Sequence, residues 1–333
     1  MATTVRDTRF DTLKGILILC VLFRHFYLRD PDGLASETVA NFIHFFTMPL
    51  FVFMSGFFTR HEDDTKRYWM GILGILETYV VFQLLKGLAY HYSLIELITL
   101  PTTMMWYLLA LIYWKALYFV LFKSKIKVSL LLIGVLITLS LASGYVPFID
   151  RRLAISRFLY FSPYFFLGIL LRKKEVLTFV NNELKLYFAV GILVLTLLLS
   201  FFLAYFHDPY VADVFRGVEP YPTSNRMCFM LARLASFVVS IIVSIAILRV
   251  AAFPCPLLET VGKDSLKFYM FQGIGLMIVG ALNLPSNFIL ATLYALVVSI
   301  AIFLFDKFWL SDFALRPIKC IIDALRRNNR VDN

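Results

Sequence analysis

Long, nearly continuous runs of apolar residues alternate with short polar segments along almost the whole chain. Ten of these runs are long enough to cross a bilayer as α-helices. They lack the alternating pattern of a membrane β-barrel, and a helix satisfies its backbone hydrogen bonds within one segment. The pattern predicts an all-α, polytopic membrane protein of about ten transmembrane helices. We place the spans near residues 12–28, 41–59, 69–90, 105–122, 128–146, 154–171, 186–206, 229–248, 266–282 and 288–306.

Composition excludes a soluble globular protein. Of the 333 residues, 60% are hydrophobic and only 16% are charged, and the mean hydropathy is +0.79. No polar stretch is long enough to build a separate soluble core, so we predict a single integral membrane domain over residues 1–333. The run after Asp11 contains Lys14 and Arg24 and no small-residue cleavage site, which favours a retained first helix over a cleaved signal peptide.

The distribution of basic residues predicts the orientation. With the N-terminus in the cytoplasm, the cytoplasmic segments hold 20 Lys and Arg and the outer segments hold 5. This bias follows the positive-inside rule and predicts that both termini are cytoplasmic. The formal charge of +10 is then explained by topology and by attraction to anionic lipid, so no nucleic-acid partner is expected.

Seven basic residues fall inside the predicted spans, where the main acidic counterpart is Glu77. A basic side chain at the centre of a membrane helix costs roughly 2.5–3.5 kcal/mol on insertion scales. One interpretation is that such residues extend towards the interface, and we favour it for Lys86, Lys115, Arg233 and Lys267. The other is a protein-lined cavity for a polyanionic ligand, for which Lys14 and Arg157 are the better candidates.

The first span holds a cation and a histidine on one face. Lys14 and His25 are eleven residues apart, almost three helical turns, which separates them by about 16 Å along the axis. Asp11 can pair with Lys14 but lies too far away to orient His25. A histidine here could also simply bond a backbone carbonyl. A polar partner for its imidazole must come from another helix, and the candidates are Ser55, His44 and Glu77.

Two further segments have both a structural and a functional interpretation. Pro49 within the second span frees a backbone carbonyl, and Ser55-Gly56 allows close approach of another backbone or of a ligand. Trp106-Tyr107 is also typical of an interfacial aromatic belt.

These segments together resemble the acyltransferase family 3 of integral membrane O-acyltransferases, in particular its branch similar to fucose 4-O-acetylase. The resemblance covers essentially the whole chain, and its most specific part is a basic residue followed by ten residues and a histidine. The matching segments are Phe10-Asp11-Thr12-Leu13-Lys14-Gly15-Ile16 running to His25, Met48-Pro49-Leu50-Phe51 leading to Ser55-Gly56-Phe57, Met105-Trp106-Tyr107-Leu108-Leu109-Ala110, Arg157 leading to Phe165-Phe166-Leu167-Gly168, and Gly262-Lys263-Asp264-Ser265-Leu266.

Three positions depart from the family pattern. Lys14 stands where many members have arginine, which keeps the charge but loses the planar fork that binds phosphate through two bonds. Thr47 and Gln272 stand where many members have histidine. The proton-transfer role is therefore concentrated on His25, and His44, one turn before Thr47, is a weaker alternative.

The resemblance implies an acyl-CoA donor, most simply acetyl-CoA, bound from the cytoplasmic side, and an acceptor hydroxyl on a cell-surface or lipid-linked glycan. We predict His25 as the general base and Lys14 and Arg157 as donor-binding residues. Direct transfer and an acyl-histidine intermediate both stay open. The supporting residues are Asp11, His44, Ser55, Gly56, Trp106 and Tyr107.

We further expect a multi-pass protein of a bacterial cytoplasmic membrane with no permanently bound cofactor. No metal site is predicted, because the spans lack a His, Cys, Asp or Glu cluster at ligand spacing. The outer segment 207–228, rich in aromatic and acidic residues, is either part of the acceptor site or a solvated loop. The main alternative function is a transporter or flippase of a glycan or another anionic substrate, and a catalytically silent membrane partner is a third.

Overall fold

The computed structural model describes residues 7–60, 64–102, 104–172, 175–206, 217–251 and 253–307, and these residues form helices and connecting turns without any strand. The helices are α1 Arg9–Tyr27, α2 Leu34–Phe57, α3 Thr65–Ala89, α4 Leu94–Thr99, α5 Trp106–Lys123, α6 Leu130–Ser143, α7 Ile155–Leu171, α8 Val176–Glu183, α9 Leu186–Phe206, α10 Arg226–Ala251, α11 Pro256–Lys263, α12 Ser265–Ala281 and α13 Phe288–Lys307, with a short 3₁₀ turn at Arg152–Ala154 before α7.

The prediction of an all-helical membrane protein is confirmed for the part of the chain that the structure describes. Seven of its helices are long and apolar enough to cross a membrane: Leu34–Phe57, Thr65–Ala89, Trp106–Lys123, Arg152–Leu171, Leu186–Phe206, Arg226–Ala251 and Phe288–Asp306. Helices α6 and α12 have 14 and 17 residues and are shorter. Helix α1 is not counted among the seven because it carries several charged side chains. The count of about ten spans and the sides of the two termini stay predictions.

Helices α2 and α7 form the centre of the bundle, and their crossing is very close. Gly56 of α2 faces the backbone carbonyl of Phe165, and Gly168 of α7 faces the backbone of Phe53 and Phe57, so that a methyl group at either glycine would overlap main-chain atoms. The small residues therefore allow the two helix backbones to touch, as small residues commonly do in membrane helix pairs.

Helices α9 and α13 form part of the outer surface of the bundle. Their large apolar side chains point outwards, and examples with more than 60% of their surface exposed are Leu195, Phe206, Ile289 and Val297. Water would not stabilise such a surface, whereas lipid tails would. Together with the seven long apolar helices, this surface marks the chain as an integral membrane protein.

Two of the basic residues that we expected to reach the interface are instead enclosed by protein. Arg233 of α10 is fully buried, donates hydrogen bonds to the carbonyl oxygens of Ser140 (3.1 Å) and Glu219 (3.3 Å), and lies 4.6 Å from the ring centre of Tyr221. Lys86 of α3 has only 5% of its surface exposed. The interpretation as interfacial residues is wrong for both, because the surrounding helices cover them.

Two short segments outside the predicted spans pack onto the helices that form the site. Helix α11 lies against the first half of α1, where Gly15 faces the Leu258 backbone and Gly262 faces the Asp11 carbonyl. The stretch that follows α3, including α4, folds back onto it. The buried side chain of Gln83 holds this stretch by bonding the carbonyls of Leu97 and Leu100 and the amide of Thr102.

Candidate functional site

A cavity of about 360 Å³ lies between α1, α2, α3, α5, α11 and α12, and we call it the Lys14 cavity. The Lys14 ammonium lies 3.3 Å from the Asp11 carboxylate and 4.7 Å from the centre of the Phe58 ring. The pair is the one that the three-residue spacing predicted, and the structure adds that Asp11 is buried, with 1% of its surface exposed. The buried carboxylate thus holds the Lys14 ammonium in place at the cavity wall.

The Lys14 cavity contains a second cation and a pair of bonded hydroxyl groups. Lys263, at the end of α11, lines the same space as Lys14. Ser55 Oγ lies 2.5 Å from Tyr107 Oη and donates to the Phe51 carbonyl at 2.9 Å, so the tyrosine hydroxyl is the donor to the serine. The Tyr107 ring meets the Tyr269 ring edge to face at 5.8 Å. The cavity therefore combines positive charge with a small polar patch in otherwise apolar walls.

His25 lines a different and larger cavity, of about 680 Å³, which we call the His25 cavity. It lies between the end of α1, the end of α3, the start of α5 and the second half of α12. Arg29 and Lys86 line it together with His25, and among its described lining residues none is acidic. The Lys86 ammonium is 3.9 Å from the Met104 sulfur.

The two cavities share no lining residue. On each of three helices, however, the residues that line one cavity are followed one turn later by residues that line the other. On α1, Val21 lines the Lys14 cavity and His25, one turn later, lines the other. On α5 and the turn before it, Leu108 and Met104 are related in the same way. On α12 the pair is Tyr269 and Gly273. The cavities therefore lie end to end, and on each helix one turn of about 5.4 Å separates their walls.

Arg157 and Trp106 lie together beside this site. The guanidinium carbon of Arg157 is 4.8 Å from the centre of the Trp106 ring, and that ring stacks on Phe161 at 5.4 Å. Neither Arg157 nor Trp106 lines either cavity. Trp106 immediately precedes the lining residue Tyr107, so Arg157 contacts the start of α5 next to the cavity wall.

His44 and Gly56 lie away from both cavities. His44 lines a narrow gap with Tyr160, Ser236 and Ser240, between α2, α7 and α10. Gly56 serves the close crossing of α2 and α7, which is the structural interpretation of the Ser55-Gly56 pair. The structure thus brings Lys14, Asp11, Ser55 and Tyr107 together at the Lys14 cavity, whereas His25 lines the other cavity and Arg157, Trp106, His44 and Gly56 line neither.

The two positions where relatives of the resembled family often carry histidine are fully buried. Thr47 Oγ1 donates to the Ile43 carbonyl at 2.9 Å, and Gln272 Nε2 donates to the Tyr269 carbonyl at 3.3 Å. Each side chain thus bonds its own helix.

Part of segment 207–228, which we predicted to be an outer loop, is not among the described residues, which resume at 217. In the described part, Tyr221 is buried against Arg233, and its hydroxyl donates to the Leu141 carbonyl at 3.1 Å. This tyrosine holds the bundle together and does not line either cavity.

Sequence reasoning missed Lys263, Arg29 and Lys86 as site residues. Lys263 belongs to a segment that carried the family resemblance. Lys86 follows Tyr79 and Gln83 at helical spacing, and these three polar residues lie on one buried face of α3. That polar stripe was a signal in the sequence. Arg29 gave no signal, because it follows the first span and counted only as an outer basic residue.

Comparison with known proteins agrees with this picture of a helical membrane protein. A family model described as an acyltransferase domain, that of acyltransferase family 3, matches residues 7–305. The chain belongs to this family and is a membrane acyltransferase. No curated protein and no solved structure matches the chain.

Proposed function

We propose that the protein transfers an acyl group from acyl-CoA, most simply acetyl-CoA, to a hydroxyl of a cell-surface or lipid-linked glycan. The observation that carries this proposal is the pair of cavities placed end to end along α1, with Lys14 and Lys263 at one and His25 at the other. Such an arrangement suits a donor with a polyanionic end and a reactive end, connected by a long and thin arm.

The donor's phosphates are held by Lys14 and Lys263 in this proposal. A phosphate bound to lysine gains charge-assisted hydrogen bonds, and apolar walls with little water strengthen them. The Asp11 carboxylate keeps the Lys14 ammonium in place without neutralising both cations. Arg157 supports the wall through Trp106, which we propose as an indirect contribution to donor binding.

His25 acts as the general base at the junction of the two cavities. The acceptor oxygen attacks the thioester carbonyl carbon, and its proton passes to the imidazole. The tetrahedral intermediate then collapses, the carbon–sulfur bond breaks, and the imidazolium returns the proton to the leaving thiolate. The Tyr107 and Ser55 hydroxyl groups add a polar patch to the wall of the Lys14 cavity, but both of their protons are already engaged, Tyr107 donating to Ser55 and Ser55 to the Phe51 carbonyl.

The acceptor and the location follow from the resemblance to the fucose 4-O-acetylase branch. We propose a sugar hydroxyl presented at the outer side of a bacterial cytoplasmic membrane, with both protein termini in the cytoplasm. In this orientation the Lys14 end of α1 faces the cytoplasm, where acyl-CoA is made, and the His25 end faces the glycan.

The experiment is transfer by purified full-length protein given acetyl-CoA labelled in the acetyl group and a panel of glycan acceptors. We expect a labelled sugar ester and one free thiol for each ester formed. Glycan movement across the bilayer of proteoliposomes without ester formation would contradict the proposal and support a transporter. Mass spectrometry of surface glycans from cells with and without the protein would identify the acceptor.

A further inference from the structure

The proposed role of His25 in proton transfer does not explain why two further basic residues line the same cavity. A general base needs one imidazole, yet Arg29 and Lys86 also line this space. The donor's phosphates already have Lys14 and Lys263 at the other cavity. The additional positive charge therefore needs a different ligand.

Lys86 is the most informative of these groups. It is 5% exposed, and in the described residues no acidic side chain pairs with it; its amine instead lies 3.9 Å from a thioether sulfur, a weak acceptor. A buried ammonium without a carboxylate partner is costly. An anionic ligand in the cavity would supply the missing charge.

The surroundings of Lys86 leave room for its amine to face the cavity. A methyl group added at Gly273 of α12 would come within 2.6 Å of the Lys86 nitrogen, so this glycine makes space for the ammonium at the wall. The Arg29 side chain lines the same cavity and extends towards α12, where one guanidinium nitrogen lies 3.5 Å from the Val279 carbonyl oxygen.

We propose that the His25 cavity binds an acceptor sugar that carries an oxyanion, either a carboxylate or a phosphate, and that Lys86 and Arg29 recognise its charge. This inference rests on the proposed acyl transfer and names the class of its acceptor. The cavity volume of about 680 Å³ suits one or two sugar units. The anion fixes the sugar at the cationic wall, and a neighbouring hydroxyl is presented to His25.

The test measures sugar binding without requiring catalysis. Full-length protein in a sugar-free nonionic detergent is given radiolabelled glucuronic acid, and unlabelled glucuronic acid, glucose 1-phosphate and glucose compete for the site. We expect both anionic sugars to compete at concentrations at least 10-fold lower than glucose. Equal competition by glucose, or no measurable binding of the labelled acid, would overturn the proposal.

Substitutions at the cavity wall test whether Lys86 and Arg29 cause the preference for anionic over neutral sugars. Lys86→Met and Arg29→Gln should each weaken binding of the anionic sugars about 10-fold or more. Lys115→Met removes another intramembrane lysine that lines neither cavity and should change nothing. Gly273→Ala should weaken anionic binding by displacing only the flexible end of Lys86, so it tests the same contact while keeping the charge. An unchanged preference in folded Lys86→Met and Gly273→Ala proteins would contradict the proposal.

Two additional competitors exclude other sources of the oxyanion. Phosphatidylglycerol should not displace the labelled acid, and neither should coenzyme A at concentrations that saturate the Lys14 cavity. If either competitor displaces the labelled acid, and Lys86→Met abolishes that displacement, the cavity binds a lipid headgroup or the donor, and the inference is overturned. Charge-selective binding without any ester product would refute acyl transfer alone, whereas transfer to neutral glycans that is insensitive to Lys86→Met would refute this inference alone.

Discussion

Lys14 and His25 lie on one uninterrupted helix, eleven residues apart, and each lines its own cavity. Val21, between them on the same face, ends the first cavity, and His25 begins the second one turn later. A long ligand that reaches from one residue to the other must pass this single turn. The axial distance between the Lys14 and His25 positions is about 16 Å, and in the proposed function this distance sets how far the donor must extend to reach the base.

The hydroxyl pair of Ser55 and Tyr107 should stabilise the contact between α2 and α5. Ser55→Ala leaves the tyrosine hydroxyl without its acceptor, whereas Tyr107→Phe leaves Ser55 still donating to the Phe51 carbonyl. We expect the alanine variant to lose more stability, and a double-mutant cycle to give a coupling of about 0.5–1.5 kcal/mol. Reversible unfolding in mixed micelles measures both quantities, and a coupling of zero would contradict the bond.

The crossing of α2 and α7 should tolerate no side chain at its glycines. Gly56→Ala and Gly168→Ala would push the new methyl group into backbone atoms of the opposite helix, and each should destabilise the protein by about 1–3 kcal/mol. Gly134→Ala and Gly191→Ala are matched controls, because nothing lies within 4 Å of the added methyl group. Thermal unfolding of the four variants compares them, and equal effects at all four positions would argue against the close crossing.

Arg233 should be required for folding and not for chemistry. Arg233→Met removes the donor to two carbonyl groups and the cation between Tyr160 and Tyr221, and we expect a loss of about 2–3 kcal/mol or more. Arg233 uses two different guanidinium nitrogens for the two carbonyl groups, and lysine lacks this planar fork, so Arg233→Lys should rescue little of this loss. Yield of monodisperse protein and melting temperature measure stability. The account predicts normal activity in each molecule that folds, and a folded but inactive Arg233 variant would contradict it.

The sequence predicted the helices well because each forms from a local apolar run. Lys14 and His25 lie on one helix and Asp11 pairs with Lys14, as the spacing predicted, since helical spacing needs no knowledge of other segments. The ends of the helices were less predictable. Helix α6 begins at Leu130 after the Ser129 cap and ends at Ser143, which is shorter than the predicted span.

Contacts between distant segments could not be predicted from the pattern. Burial of Arg233 depends on carbonyl groups 93 and 14 residues away, and the position of Lys263 at the Lys14 cavity depends on α11 packing against α1. In the sequence Gln83 is one polar residue in an apolar run, and its hydrogen bonds form only because the segment after α3 folds back over it. For Arg233 and Lys263 no local pattern indicates burial or a place in the site, whereas Gln83 belongs to the polar stripe of α3.

Steady-state kinetics with acetyl-CoA as the varied substrate should separate the roles of the two ends of α1. Lys14→Ala should raise KM for acetyl-CoA about 10-fold with kcat little changed, because a phosphate contact is lost and the base is kept. Lys14→Arg keeps the charge and should restore a KM close to that of the parent protein. A KM unaltered by Lys14→Ala would remove Lys14 from the donor site.

The most direct test of the central claim compares transfer and donor binding in His25→Ala protein that is shown to be folded. If His25 meets the thioester at the far end of a donor held by Lys14, the variant should bind acetyl-CoA with the affinity of the parent and transfer the acetyl group roughly 10²–10⁴-fold more slowly. Transfer at the parent rate, or loss of acetyl-CoA binding with the rate at saturation unchanged, would contradict the account.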